Sequence, residues 1–263
     1  MNILFIGDIF GKPGRKAVRT LLHDIQSEYQ VDYVIANGEN MSHGKGFTKK
    51  HMDEMLKAGV NFFTSGNHSF GKEDFLAEWN HRDTPVVRPA NYLVGTPGKD
   101  HAVIETPQGK ILLINILGKV YMGGNLNDPF DTVDRILNTY NSIQFEAIIV
   151  DFHAEATAEK YTMRYHLDGR ITALFGTHTH VPTADAHITA QGMAYITDIG
   201  MTGAVDSSIG LQAQDIYDRM HSSLPVKAHL ETQFPYYLRA VYIGCEKGKA
   251  MQIELIQRKL DLD

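Results

Sequence analysis

Asp8, Glu39, Asn67, His153, His178 and His180 each stand just past a short apolar run, and each can ligate a metal. The donors are carboxylate, amide and imidazole, with no thiolate. Such a set suits hard or borderline divalent ions and argues against a cysteine-type structural zinc. His178 and His180 bracket one threonine and project to the same side if the chain is extended there, which packing alone does not ask for. The other donors have ordinary readings when taken singly. Asp8 would serve equally as a helix cap, Glu39, Asn40 and Asn67 as turn residues, and His153 as a satisfied, partly buried histidine. Only the recurrence promotes them.

The apolar runs in question are residues 3–6, 33–36, 62–64, 147–150 and 172–175, each with the composition of a strand. In α/β folds the loops at the carboxyl ends of strands carry the chemistry, so one rim can gather all six donors. Between the runs, helices are expected from Pro13 through Ile25, from about Thr48 as a cap to Lys57, and over 70–79, 131–140 and 155–166. From Thr84 the texture changes to successive strands at 86–87, 102–105 and 111–116, with Pro107-Gln108-Gly109 as a hairpin turn. The C-terminal part reads as two hairpins, 187–190 with 193–197 and 238–245 with 251–257. No repeat, low-complexity block or linker divides the chain. The fold expected is therefore α/β, one domain over 1–263, with a two-layered β core flanked by helices.

Composition narrows the functions. The chain has 263 residues, 43% hydrophobic and 21% charged, enough for one substantial core. A net charge of −6 and a pI near 6.1 give no global attraction to nucleic acid or an anionic membrane. A phosphate-bearing substrate must then be held by a local positive feature such as bound metal. The lone Cys245 excludes an internal disulfide and reads as a small buried hydrophobe. The chain enters a strand directly, without a charged leader or cleavage site, and no apolar stretch approaches the roughly 18 residues that span a bilayer. A cytoplasmic protein without a membrane partner or an extended nucleic-acid surface is expected, and a homo-oligomer is compatible with it.

Gly7-Asp8, Asn37-Gly38-Glu39-Asn40, Gly66-Asn67-His68, His153 and Gly176-Thr177-His178-Thr179-His180 form an ordered series over residues 7–180. The series resembles the calcineurin-like metallophosphoesterases, which place an Asp-x-His, a Gly-Asp, a Gly-Asn-His, a lone His and a Gly-His-x-His after successive strands. The fold implied is their αββα sandwich. Two departures stand out: Asp8-Ile9-Phe10 lacks the imidazole of Asp-x-His, and Glu39 followed by Asn40 replaces the bridging Asp. Asn40 is well placed to fill the first gap. With Gly11-Lys12-Pro13-Gly14-Arg15 and Asp151-Phe152-His153-Ala154-Glu155-Ala156-Thr157, these departures are similar to the bacterial YmdB-type branch, whose members are dinuclear phosphodiesterases able to hydrolyse 2′,3′-cyclic nucleotides.

The resemblance implies a role for each residue. Glu39 would bridge two divalent ions, with Asp8, Asn40 and His180 completing one and Asn67, His153 and His178 the other. A water shared by such ions loses its proton near neutral pH and attacks the phosphorus in line with the leaving oxygen. His68 would be catalytic without binding metal, stabilising the phosphoryl transition state or protonating the departing alkoxide. Iron or manganese is favoured by resemblance, and the donors would accept zinc or cobalt. The substrate expected is a small nucleotide diester. A phosphomonoesterase or nucleotidase, and a nucleotide-sensing regulator using the same metal site, are the competing readings, with an RNA-degrading diesterase left open. The absence of a dense Lys/Arg cluster near the ligand loops, beyond Lys12 and Arg15 as possible phosphate contacts, favours a diester over the more highly charged monoester. His43 is placed to line the entrance, His166 and His187 lie outside the pattern, and Asp198 is given no catalytic role.

Overall fold

The strand that opens the chain, β1 (Asn2–Ile6), has its apolar residues buried on both faces: Ile3 and Phe5 enter one core, Leu4 and Ile6 another. Continuous apolar runs of this kind are what a strand covered on two sides requires. The computed structural model describes residues 1–261; Leu262 and Asp263, the end of the span expected for one domain, lie outside the described residues. After β1 come α1 (Gly11–Glu28), β2 (Tyr33–Asn37), α2 (Lys49–Lys57) and β3 (Phe62–Thr64). Thr48 caps α2 as expected, its hydroxyl accepting from His51 N at 3.3 Å.

The expected helix over 70–79 is cut down to a 3₁₀ turn, Glu73–Phe75, followed by the short α3 (Leu76–Trp79). The residues before it are committed to turns, with Ser69 N bonded to Gly66 O and Gly71 N to His68 O. Residues 86–87 form only a single parallel bridge, Val86 to Phe63, rather than a strand. The chain continues through β4 (His101–Thr106), β5 (Gly109–Leu117), α4 (Pro129–Thr139), β6 (Ala147–His153), α5 (Thr157–Leu167) and β7 (Ala173–Thr177). Strands β6 and β7 run further than their apolar runs suggest, so His153 is the last residue of a strand rather than part of a loop. The C-terminal part contains β8 (His187–Ile188), β9 (Ala194–Ile196), β10 (Gly203–Ala204), α6 (Ala213–His221), β11 (Tyr236–Glu246) and β12 (Lys249–Leu260). Both expected hairpins are there, the first shorter and the second longer than their apolar residues indicate.

Two six-stranded sheets result. In one, β1, β2 and β3 are parallel and β11 lies antiparallel against β1, with β12 and β10 on β11. The other has the order β4-β5-β6-β7-β9-β8, with β5, β6, β7 and β9 parallel. Ile3, Phe5 and Ile35 of the first sheet meet Ile111, Ile149 and Phe175 of the second in the core between them. Val18 and Leu22 of α1 pack on the outer face of the first sheet, Val133 of α4 and Met163 of α5 on that of the second. This is the helix–sheet–sheet–helix layering the sequence pattern implies. The carboxyl ends of β1, β2, β3, β6 and β7 share one rim.

Candidate metal centre

Each strand delivers its residue to that rim. Asp8 lies two residues beyond β1, Glu39 and Asn40 follow β2, Asn67 and His68 follow β3, His153 ends β6, and His178 and His180 follow β7. Ligating atoms of Glu39, His153 and His178 lie within 4.8 Å of one another, and so do those of Asp8, Glu39 and His180. Glu39 belongs to both groups. Each group also gains an amide oxygen: Asn67 Oδ1 is 3.0 Å from His153 Nε2, and Asn40 Oδ1 is 3.2 Å from His180 Nε2. All seven expected donors are therefore brought together, with Asn40 beside His180.

The hydrogen bonds around the rings test whether a cation fits. Thr177 Oγ1 donates to Asp151 Oδ1 at 2.7 Å, so its oxygen accepts from His153 Nδ1 at 2.9 Å. A neutral His153 then turns a lone pair, not a proton, toward Asn67 Oδ1, His178 Nδ1 and Glu39 Oε1 at 3.0, 3.0 and 3.2 Å. His180 repeats the pattern. Its Nδ1 donates to Ile209 O at 3.0 Å, leaving the Nε2 lone pair facing Asn40 Oδ1. Asp8 Oδ1 is buried without a hydrogen-bond partner, His153 Nδ1 lying 3.7 Å away. Lone pairs converging on lone pairs, with a buried carboxylate oxygen unanswered, suit cations held between them. Among the protein groups alone, burial pushes Asp8 up to about 6, and burial with the charge of His153 pushes His178 down to about 3. For His153 burial opposes the charged form, but Glu39 overrides it and raises the group. Bound divalent ions would replace that compensation.

Side chains to which the sequence assigns no role hold these donors. Asp151 is wholly buried and also accepts from Asn37 Nδ2 at 3.0 Å, tying β6 to β2 and, through Thr177, to β7. Lys160 of α5 is buried with Asp198, Nζ to Oδ2 at 2.8 Å, and also donates to Thr177 O at 2.9 Å. Asp198 in turn accepts from Thr179 N at 3.0 Å. That ion pair fixes the His178-Thr179-His180 segment, in which both histidines adopt positive φ, 99° and 67°. Gly66 is required by space: a Cβ there would collide with Glu39 Oε2 and His153 Nε2. The signal for Lys160 in the sequence is nil, since a lysine in an amphipathic helix ordinarily faces water.

Above the donors opens a cavity of about 640 Å³, lined by His68 and, as expected, by His43. The backbone N–H of His68 donates to Glu39 Oε2 at 3.0 Å, and its ring Nε2 is 3.4 Å from Asn67 Nδ2. Burial lowers the pKa of the ring. Phe10, which occupies the place of the missing imidazole, packs edge-on against His180 with centroids 5.3 Å apart. Lys12 and Arg15 do not reach this cavity. Arg15 is buried against Glu54 Oε2 at 2.8 Å and Met41 O at 2.6 Å, and both residues line a separate concavity beside α2. The expectation of no cationic cluster is also corrected, because Lys45, Lys72, Arg219 and Lys227 line the cavity above the donors. Their dispersal over the sequence hides them. His166 pairs with Asp134, His187 lies near Arg164, and Cys245 is buried with its thiol pushed up to about 11 by burial, so these three stay outside the site.

The double-sheet fold, its rim of carboxylate, amide and imidazole donors and relatives named as a phosphodiesterase and phosphatases together mark a phosphoric ester hydrolase. The chain belongs to the YmdB-like protein family, whose model matches residues 4–256. It is 40% identical over 228 residues to a 2′,3′-cyclic-nucleotide 2′-phosphodiesterase of Bacillus subtilis strain 168, covering 86% of this chain and 85% of that one. Among solved structures, a phosphatase of Mycoplasma pneumoniae superposes with a TM-score of 0.92 at 34% identity, covering 99% of this chain and 94% of that one. A hypothetical protein of Thermus thermophilus does so with a TM-score of 0.91 at 37% identity, covering 98% and 99%. Among the described residues no helix is long and apolar enough to cross a membrane.

Proposed function

We propose that this chain is a dinuclear, metal-dependent phosphodiesterase acting on small nucleotide diesters, 2′,3′-cyclic nucleotides among them, as one domain over 1–263. The observation that carries the reading is Glu39, whose carboxylate belongs to both donor groups. Asp8, Asn40 and His180 would hold one ion with it, and Asn67, His153 and His178 the other. Iron or manganese is favoured, with zinc or cobalt also suited to the donors. Two divalent ions held there would supply charge neutralisation for the phosphoryl group and lower the pKa of bound water. The protein's own contribution is positioning and proton supply. Asp151 and Thr177 fix the tautomer of His153, and Lys160 with Asp198 holds the histidine pair. His68 is tethered to Glu39 by its backbone, so its ring reaches the cavity from beside the donors, where it can give a proton to the departing oxygen. The name of the Bacillus subtilis relative supports the choice of ester. The lone, buried Cys245 is in keeping with a reducing, cytoplasmic setting.

One observation favours a second reading. The cations above the donors would suit the dianion of a phosphomonoester, so charge no longer argues for the diester. The test is metal content per chain, with kcat/KM for bis-p-nitrophenyl phosphate, p-nitrophenyl phosphate, 2′,3′-cyclic AMP and 3′,5′-cyclic AMP. Turnover of the 2′,3′-cyclic nucleotide above the monoester is expected. A faster monoester with neither cyclic nucleotide cleaved would make the protein a monoesterase.

A further inference from the structure

Four cations line the cavity above the donors, and they come from well-separated parts of the chain. Lys45 lies in the loop after β2 and Lys72 in the turn after β3; Arg219 is on α6 and Lys227 on the strip that follows. Lys45 and Lys72 are held on adjoining loops. A Cβ built at Gly71 would come within 3.3 Å of Lys45 Cβ and 3.4 Å of Gly46 N. Arg219 donates to Val226 O at 2.8 Å, which keeps it beside Lys227. The strip carrying Lys227 is seated against the first loop, since Leu230 would meet a Cβ at Gly44 at 3.1 Å. Two pairs of cations thus share one opening.

Among the described residues none of the four has a carboxylate within ion-pair distance, in contrast to Arg15 and Arg19, which are both paired with Glu54. The carboxylates lining the cavity are Glu39, committed to the donor groups, and Glu155, held 3.2 Å from His178 Nε2. In a chain of net charge −6, four unpaired cations around one concavity are a local reversal of sign. A phosphodiester carries a single negative charge. Two divalent ions on Asp8 and Glu39 would already exceed it, so the four cations are surplus to the scissile group. Unpaired cations at a mouth attract further negative charge on a ligand.

Building on the phosphodiesterase reading, we propose that Lys45, Lys72, Arg219 and Lys227 form a subsite for a second phosphate of the substrate. The preferred substrate is then a nucleotide or short oligonucleotide bearing a phosphate beyond the one that is cleaved. That phosphate is either a terminal group or an internucleotide linkage, and both offer the same anionic oxygens to lysine and arginine.

The test is binding by calorimetry to the protein as purified, with adenosine 3′-phosphate, adenosine 3′,5′-bisphosphate and the dinucleotide ApA carrying a 3′-phosphate. At least one of the two probes with a second phosphate is expected to bind roughly tenfold or more tighter than adenosine 3′-phosphate, the scale of one charge-assisted contact. Preference for the bisphosphate alone assigns a terminal phosphate; preference for the dinucleotide assigns a linkage. In Lys72→Ala/Lys227→Ala the preference should fall to within about twofold, whereas Lys72→Arg/Lys227→Arg should retain most of it. Equal binding of all three probes, or a preference that survives the alanine pair, overturns the subsite. Turnover of 2′,3′-cyclic AMP measured on the same preparation is read separately. Its absence would sink the diesterase reading while leaving the binding ratio to decide the subsite.

Discussion

The two donor groups that share Glu39 are supported in different ways. His153 ends a strand, and its Nδ1 rests on Thr177 at the end of the neighbouring strand, which leans on the buried Asp151. Everything behind that ring is sheet. On the other side, Asn40 donates from Nδ2 to Gly44 O within its own loop, and His180 donates to Ile209 O on a strip after β10. Everything behind those two is loop. Side chains fixed by strand register keep their geometry at little cost, whereas loop-borne donors depend on backbone that opens locally more easily. The difference teaches that two donor groups sharing one carboxylate can be backed unequally, one through a strand-end imidazole and the other through loop-borne donors.

The largest effect should come from removing what the two groups have in common. Glu39→Ala is expected to lower kcat/KM by on the order of 10³-fold and to lose both metals, read as metal per chain after gel filtration. Retention of two metals would show that the groups are independent. His68→Ala should reduce kcat by roughly 10²-fold with metal content unchanged. Metal loss there would make His68 a ligand and erase its place outside both groups.

Thr177→Val removes the acceptor behind His153, so the strand-backed ion should bind about 10- to 100-fold more weakly while the other is spared. Asn40→Ala should do the reverse on a smaller scale, about tenfold for the loop-backed ion. Chelator titration followed by element analysis resolves the two steps. Equal weakening of both ions in either variant would break the comparison.

A pH scan sharpens it further. Ser42, in the loop that carries Asn40, is hydrogen-bonded to His51 Nδ1 at 2.9 Å, and burial with the charge of Arg15 pushes His51 down to about 4. In the unfolded chain a histidine titrates near 6.5, so the unfolded state takes up the proton first. The contribution of neutral His51 is therefore complete above about 6.5 and is lost as pH falls toward 4. The urea midpoint should drop through that window, and less so in His51→Gln. An identical profile in the variant would show that His51 does not support the loop.

How much of this could be read from the sequence follows from what is local. Each donor is announced by the apolar run before it, because the strand end and the ligand are a few residues apart. Thr48 at the start of α2 was legible for the same reason. Pairings across the chain were not. Lys160 and Asp198 meet over 38 residues, and Asp151 reaches Asn37 over 114, and neither partner signals the other. Helix α6 buries none of its residues, so no core-facing stripe marks it. Lys45, Lys72, Arg219 and Lys227 look like scattered surface charges until the loops meet. The expected helix over 70–79 failed because the turns that present Asn67 and His68 consume its first residues.

His178 and His180 sit in the left-handed region of backbone space, where an unbranched polar residue costs on the order of 1 kcal/mol and glycine almost nothing. For a chain under no demand except to stay folded, both positions are easy places to gain stability. Sequence drift in descendants that had abandoned the chemistry would therefore run toward glycine or asparagine at 178 and 180 before it touched the sheet.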